Sequence, residues 1–121
     1  MYYFLICFYV LDHCFWSHTD RYGMMHTDDL GVLLGEMDPD LMSDGRPIDE
    51  AVLEDWNRIF DHVPESDSDW IDIIDNFLDY YEKNDGFNFP LARPLLKEEF
   101  ILEYVPTAKE KAQKTCKSHN Y

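Results

Sequence analysis

Basic residues are scarce in this chain: ten Lys and Arg stand against 25 Asp and Glu in 121 residues, a formal net charge of −15. A surface that displaces counterions from phosphates must be positive, so ordinary nucleic-acid binding is excluded, and the same sign disfavours anionic membranes. Glycine numbers five and proline six, too few for collagen-like or low-complexity chain. Cysteine numbers three (Cys7, Cys14 and Cys116), an odd count without a CxxC pair, which reads as free thiols in a reducing cytoplasm. No apolar run is long enough to span a bilayer. The opening stretch from Met1 to Leu11 stops at Asp12-His13, has no basic residue before Arg21 and precedes no small-x-small cleavage site, so it reads as core rather than as a secretion signal.

What the chain does contain is apolar and acidic. At 45% hydrophobic and 16% aromatic it has the material for one packed core and too little length for two. The charge is unevenly spread: between Asp20 and Asp85 there are 20 acids against Arg21, Arg46, Arg58 and Lys83. From Thr107 to Tyr121 there are four lysines and one glutamate, a tail of +3 behind an acidic body of −18. A cationic partner is the natural inference.

Periodicity is clearest in the middle. Val52, Trp56, Ile59, Phe60 and Val63 fall at i, i+4, i+7, i+8 and i+11, the stripe of a helix started near Pro47, Asp49 and Glu50 and stopped by Pro64. Trp70, Ile73, Ile74, Phe77, Leu78 and Tyr81 form a second stripe, begun by Ser66-Asp67-Ser68-Asp69 and closed by Asn84-Asp85-Gly86, a left-handed cap. Thr27-Asp28-Asp29 looks like the start of a short helix through Leu30, Leu33, Leu34 and Met37, weakened by Gly31 and Gly35 and ended by Pro39. Residues 38 to 47 and 86 to 94 read as irregular chain. Leu95, Leu96, Phe100, Ile101 and Tyr104 suit a further helix that Pro106 ends, leaving 107–121 as a frayed or disordered basic tail on a helical domain of residues 1–106. Residues 2 to 16 carry strand-favouring side chains, yet nothing else in the chain looks like a pairing strand, so helix is expected there too. The predicted fold is all-α, a small single-domain bundle of about four to six helices.

The second stripe has an acidic back. Asp72, Asp75, Asp79 and Glu82 share one face, where close like charges cost roughly 0.2 to 0.5 kcal/mol per pair. Carboxylates near the helix start are favoured by the macrodipole; Asp79, Glu82 and Asp85 at its far end are opposed by it and need another reason. A docking face for a basic protein is one such reason, extended by Asp49, Glu50, Glu54, Asp55 and Asp61 on the preceding helix. The alternative is a soluble acidic face without a specific role. Metal chemistry finds no support: an EF-hand loop counted from Asp40 puts Met42 at position three and Ala51 at position twelve, counting from Asp38 loses the glycine, and His13, Cys14, His18 and His26 lack the paired spacing of a zinc site. There is no Gly-x-Ser-x-Gly elbow and no phosphate-binding glycine loop, so neither an enzyme nor a cofactor is expected.

One segment is more specific. Within residues 27 to 56, Thr27-Asp28-Asp29-Leu30-Gly31-Val32-Leu33-Leu34-Gly35-Glu36-Met37, then Asp44-Gly45-Arg46-Pro47-Ile48-Asp49, then Ala51 running to Glu54-Asp55-Trp56 together span about a quarter of the chain. This resembles the CdiI-type immunity proteins of bacterial contact-dependent growth inhibition and related polymorphic-toxin systems. In these a short helix of Asp-Leu-Gly-x-Leu-Leu-Gly pattern precedes an Asp-Gly-x-Pro-x-Asp loop and a helix with an Asp-Trp pair. The resemblance implies a non-catalytic protein that binds a cognate toxin domain, often a nuclease with a basic cleft, and neutralises it in the cytoplasm. Trp56, on the apolar stripe, reads as a core residue rather than an interface anchor, Asp55 beside it should point outward, and the candidate contact residues are Asp49, Glu54, Asp55, Asp72, Asp75, Asp79 and Glu82. Reversing Asp75 and Asp79 to lysine is expected to abolish protection and leave stability intact. Two other readings compete: an acidic DNA mimic that inhibits a nucleic-acid enzyme, and a small hydrolase whose paired carboxylates only the fold brings together.

Overall fold

The computed structural model describes residues 1–22, 28–41 and 50–119. Six α-helices and one 3₁₀ turn occupy them: α1 (Tyr2–Tyr22), α2 (Leu30–Met37), the 3₁₀ turn Pro39–Leu41, α3 (Glu50–Ile59), α4 (Asp67–Asn84), α5 (Ala92–Leu96) and α6 (Glu99–His119). No strand occurs among the described residues, and the chain is a small all-α domain. No described helix is long and apolar enough to cross a membrane. Thr27, the Asp44-Gly45 turn, Asp49 and His26 lie outside the described residues.

α1 is helical despite its strand-favouring residues because it is covered on nearly every side. Phe4, Leu5, Ile6, Cys7, Phe8, Val10, Leu11 and Cys14 are all buried. A helix wrapped in this way shows no single apolar stripe, so periodicity does not announce it. Burial also pushes the Cys7 and Cys14 thiols up, as expected of inert core sulfurs. α1 runs antiparallel to α6: the Tyr9 hydroxyl bonds to that of Thr115, and the His13 ring stacks on Tyr104 at 3.7 Å and 8°.

α6 corrects the sequence reading. Pro106 does not end a helix; it lies inside one that continues to His119. A proline in a helix interior costs about 3 kcal/mol, yet Ile101, Val105, Ala108 and Ala112 continue one buried face through it. Pro106 itself is exposed. The basic stretch is held down as well: Lys109 Nζ lies 3.0 Å from Asp67 Oδ1 at the start of α4, and within α6 Lys111 Nζ sits 5.5 Å above the Tyr104 ring. The boundary expected at residue 106 is therefore the middle of an element.

The two amphipathic stripes become α3 and α4 and pack on each other through rings. Trp56 is 1% exposed and stacks on Phe60 at 5.2 Å, and Phe60 in turn stacks on Trp70 at 5.9 Å. α3 closes earlier than its stripe predicts, and Val63 is 53% exposed. At the start of α4 the Ser66 hydroxyl accepts the Asp69 amide at 3.2 Å. At its end Gly86 takes φ 71°, and the amides of Asp85 and Phe87 both donate to the Tyr81 carbonyl. That left-handed residue is the cap the sequence predicts.

Two acids fasten the ends of shorter helices. Asp28 Oδ1 accepts the Leu30 amide of α2 at 2.8 Å, while its Oδ2 accepts the Leu91 and Ala92 amides opening α5, both at 2.9 Å. Asp29 pairs with Asn88 through backbone and side chain.

Candidate functional site

Three of the predicted contact acids face a cation from their own chain. Asp75, Asp79 and Glu82 share a face of α4 by their spacing, and α5 lays Arg93 across it. Arg93 Nε donates to Asp75 Oδ1 at 2.9 Å and an Nη to Asp75 Oδ2 at 3.1 Å, a two-pronged bond. The other Nη donates to Asp79 at 3.0 Å and to Glu82. Glu82 also accepts the Phe89 amide, Lys83 pairs with Asp79 at 2.8 Å, and Lys97 lies 3.5 Å from Asp75. Bonds to Asp75 and Glu82 push the guanidinium further up, and Lys83, then Arg93, hold the Asp79 carboxyl below its usual range. The clustering at the unfavourable end of α4 thus has an internal reason: these carboxylates clasp α4 to α5. The expectation that Asp75 and Asp79 could be reversed to lysine without loss of stability fails on this geometry, since reversal sets like charges around Arg93.

Asp55 is also corrected. It points into the α3–α4 seam rather than outward, its side chain only 15% exposed, and accepts the Tyr81 hydroxyl at 2.9 Å and the Tyr80 hydroxyl at 3.3 Å. Burial, then the Asp55 bond, push the Tyr81 phenol up. Sequence spacing placed Asp55 beside the stripe, but the two tyrosines reach across from α4. Of the remaining candidates, Glu54 and Asp72 are exposed on α3 and α4, and Asp49 lies outside the described residues.

The acids left over gather elsewhere. Where the chain passes from α3 to α4 it forms a groove of about 450 Å3. Asp61, Glu65, Asp69 and Asp72 line it, all exposed. Beneath them lie Ile59, Pro64 and Ile73, of which Pro64 and Ile73 are buried. His62 and Asn76 complete the lining, and His62 Nδ1 bonds to Asp61. No lysine or arginine is among the lining residues. Of the predicted contacts only Asp72 belongs to this groove. The sequence places Asp61 in the acidic extension but does not single out Glu65 and Asp69 as contacts, although Pro64-Glu65-Ser66 and its flanking acids mark the turn that gathers them. Such a groove suits a lysine or arginine side chain: the apolar base takes the alkyl stem and the carboxylates take the charged head. Among the described residues no three His, Cys, Asp or Glu side chains are arranged to hold a metal ion. Comparison with protein-family models, curated proteins and solved structures gives no match for this chain.

Proposed function

We propose that this chain is a binding protein for a basic protein partner, and, following the resemblance of residues 27 to 56, an immunity protein that neutralises a cognate toxin domain, with the groove between α3 and α4 as its contact site. The observation that carries the reading is the groove itself: four exposed carboxylates, of which Asp61 bonds to His62, over an apolar base, with no Lys or Arg among the lining residues. The field of a chain of net charge −15 steers a basic partner in, and the apolar base slows its release. Glu54, exposed on α3, adds to that field. Asp75, Asp79 and Glu82 support the scaffold instead of the contact.

The test starts from the partner that co-purifies with this chain from its producing cell, identified and then expressed alone. Asp69→Lys with Asp72→Lys should weaken its binding by at least about tenfold, mainly through slower association. The melting temperature should fall by no more than a few degrees, because neither side chain makes an ion pair among the described residues and the loss is confined to the favourable field at the start of α4, worth about 0.3 to 1 kcal/mol per charge. Unchanged affinity in that double variant, at both low and physiological salt, overturns the groove as the contact site.

A further inference from the structure

His13 is a titratable ring set into the seam between α1 and α6. It stacks face to face on Tyr104 at 3.7 Å and 8°, and Phe100, one turn earlier on α6, meets it edge-on at 6.2 Å and 65°. The ring is half-buried, and among the described residues no carboxylate pairs with it and no hydrogen bond holds it. The neighbouring acid, Asp12, accepts the Trp16 indole N–H instead. The charge that does lie near is of the wrong sign: Lys111 sits 5.5 Å from the centre of the Tyr104 ring and bonds to the Tyr104 hydroxyl.

Uncharged, the imidazole is one more flat ring in an aromatic seam. Charged, it gives up part of its hydration to Phe100 and Tyr104 and gains no anion in return. The Tyr104 ring already attracts the Lys111 ammonium, so an imidazolium there is a second cation on one ring rather than the first. Burial, then Lys111, hold the imidazole below its ordinary range. The other ionisable groups about this part of α1 act on its neighbours: Asp38 on Asp12 and Tyr9, Asp40 on Tyr9, and Glu98, ahead of α6, on Cys14. We infer that His13 makes the α1–α6 seam an acid-sensitive fastening, which the neutral ring closes and the imidazolium, set beside Lys111 without a carboxylate, loosens. By linkage, the contribution of the stack is complete above the unfolded imidazole value of about 6.5 and is lost as pH falls from there through the lower, folded value. Ala108 and Ala112, which α6 buries beyond the stack, lie where that loosening is read.

NMR of the full chain tests this in two measurements. The first follows the His13 ring proton through a pH titration, assigned by its loss in His13→Phe. Its midpoint should lie below that of Nα-acetyl-histidine methylamide and should rise in Lys111→Met, which removes the facing cation. The second compares amide protection at Ala108 and Ala112 between about pH 7.5 and about pH 5.5, on either side of the imidazole value. Mild acid also eases the general repulsion of a −15 chain and charges the other histidines, so the readout is the difference between parent and His13→Phe, which share those effects. Protection in the parent should fall roughly threefold further than in His13→Phe, whose ring keeps the stack and takes no proton. If His13→Phe does not fold, His13→Gln gives the same comparison. A His13 midpoint at or above the reference, a midpoint unmoved by Lys111→Met, or equal loss of protection in parent and variant overturns the inference. Every readout uses this chain alone, so failure leaves the groove reading untouched, and the converse holds.

Discussion

Replacing Arg93 by alanine leaves Asp75, Asp79 and Glu82 facing one another without the guanidinium that joins them. Asp75 is only 14% exposed, so part of its charge is stranded, while Asp79 and Glu82 regain some water. Arg93→Ala should destabilise the fold by about 2 kcal/mol, read as a lowered urea midpoint, and Arg93→Lys should recover only part of it because an ammonium cannot make the two-pronged bond. A midpoint equal to that of the parent counts against the clasp. Because Asp79 is held below its usual range, its share of stability is present above the unfolded carboxyl value of about 3.9 and disappears as pH falls through the lower, folded value. None of this could be read at residue 93. Arg93 stands 11 to 18 positions beyond the acids it joins, across irregular chain, and only the unexplained crowding of carboxylates hinted that a cation was needed.

At the scale of elements, legibility followed amphipathicity. α3 and α4 each show one face to the core and one to water, and so their stripes were visible, as were the serine cap and the glycine after α4. α1, buried along most of its length, shows no stripe and is legible as a helix only because no other segment looks like a pairing strand, and α6 is masked by a local rule that packing overrides. Pro106 forbids one backbone bond, but a helix whose buried face continues to Ala112 tolerates the loss. It follows that the last fifteen residues are not a dispensable tail. A chain ending at Pro106 loses Ala108 and Ala112 from the core, the Tyr9–Thr115 bond and the Lys109–Asp67 pair. Such a truncation should lose its cooperative thermal transition by circular dichroism; retention of a sharp melt near the parent temperature would show that α1 holds without its partner.

For the whole molecule the excess negative charge acts in two opposite directions. The compact state crowds a net −15 together, so raising sodium chloride from low to moderate concentration should raise the melting temperature. The same salt should weaken capture of a basic partner by screening the field that steers it. Measured side by side, melting and binding should move in opposite directions; melting that falls with salt would mean that the internal pairs of Arg93, Lys97 and Lys109 outweigh the general repulsion. Composition revealed the magnitude of this charge but not its apportionment. Only the fold separates acids spent on α5, on Tyr80 and Tyr81 and on helix ends from those that remain open in the groove.

Asp28 bears on how the molecule comes apart. One side chain closes the amide ends of two helices more than sixty residues apart in sequence. Fraying at the entrance to α2 therefore removes an acceptor from the entrance to α5, and α5 carries the arginine that fastens α4. Early and late parts of the polypeptide are in this way tied through one carboxylate, so proton exchange at the Leu30, Leu91 and Ala92 amides should quicken together in an Asp28→Ala variant.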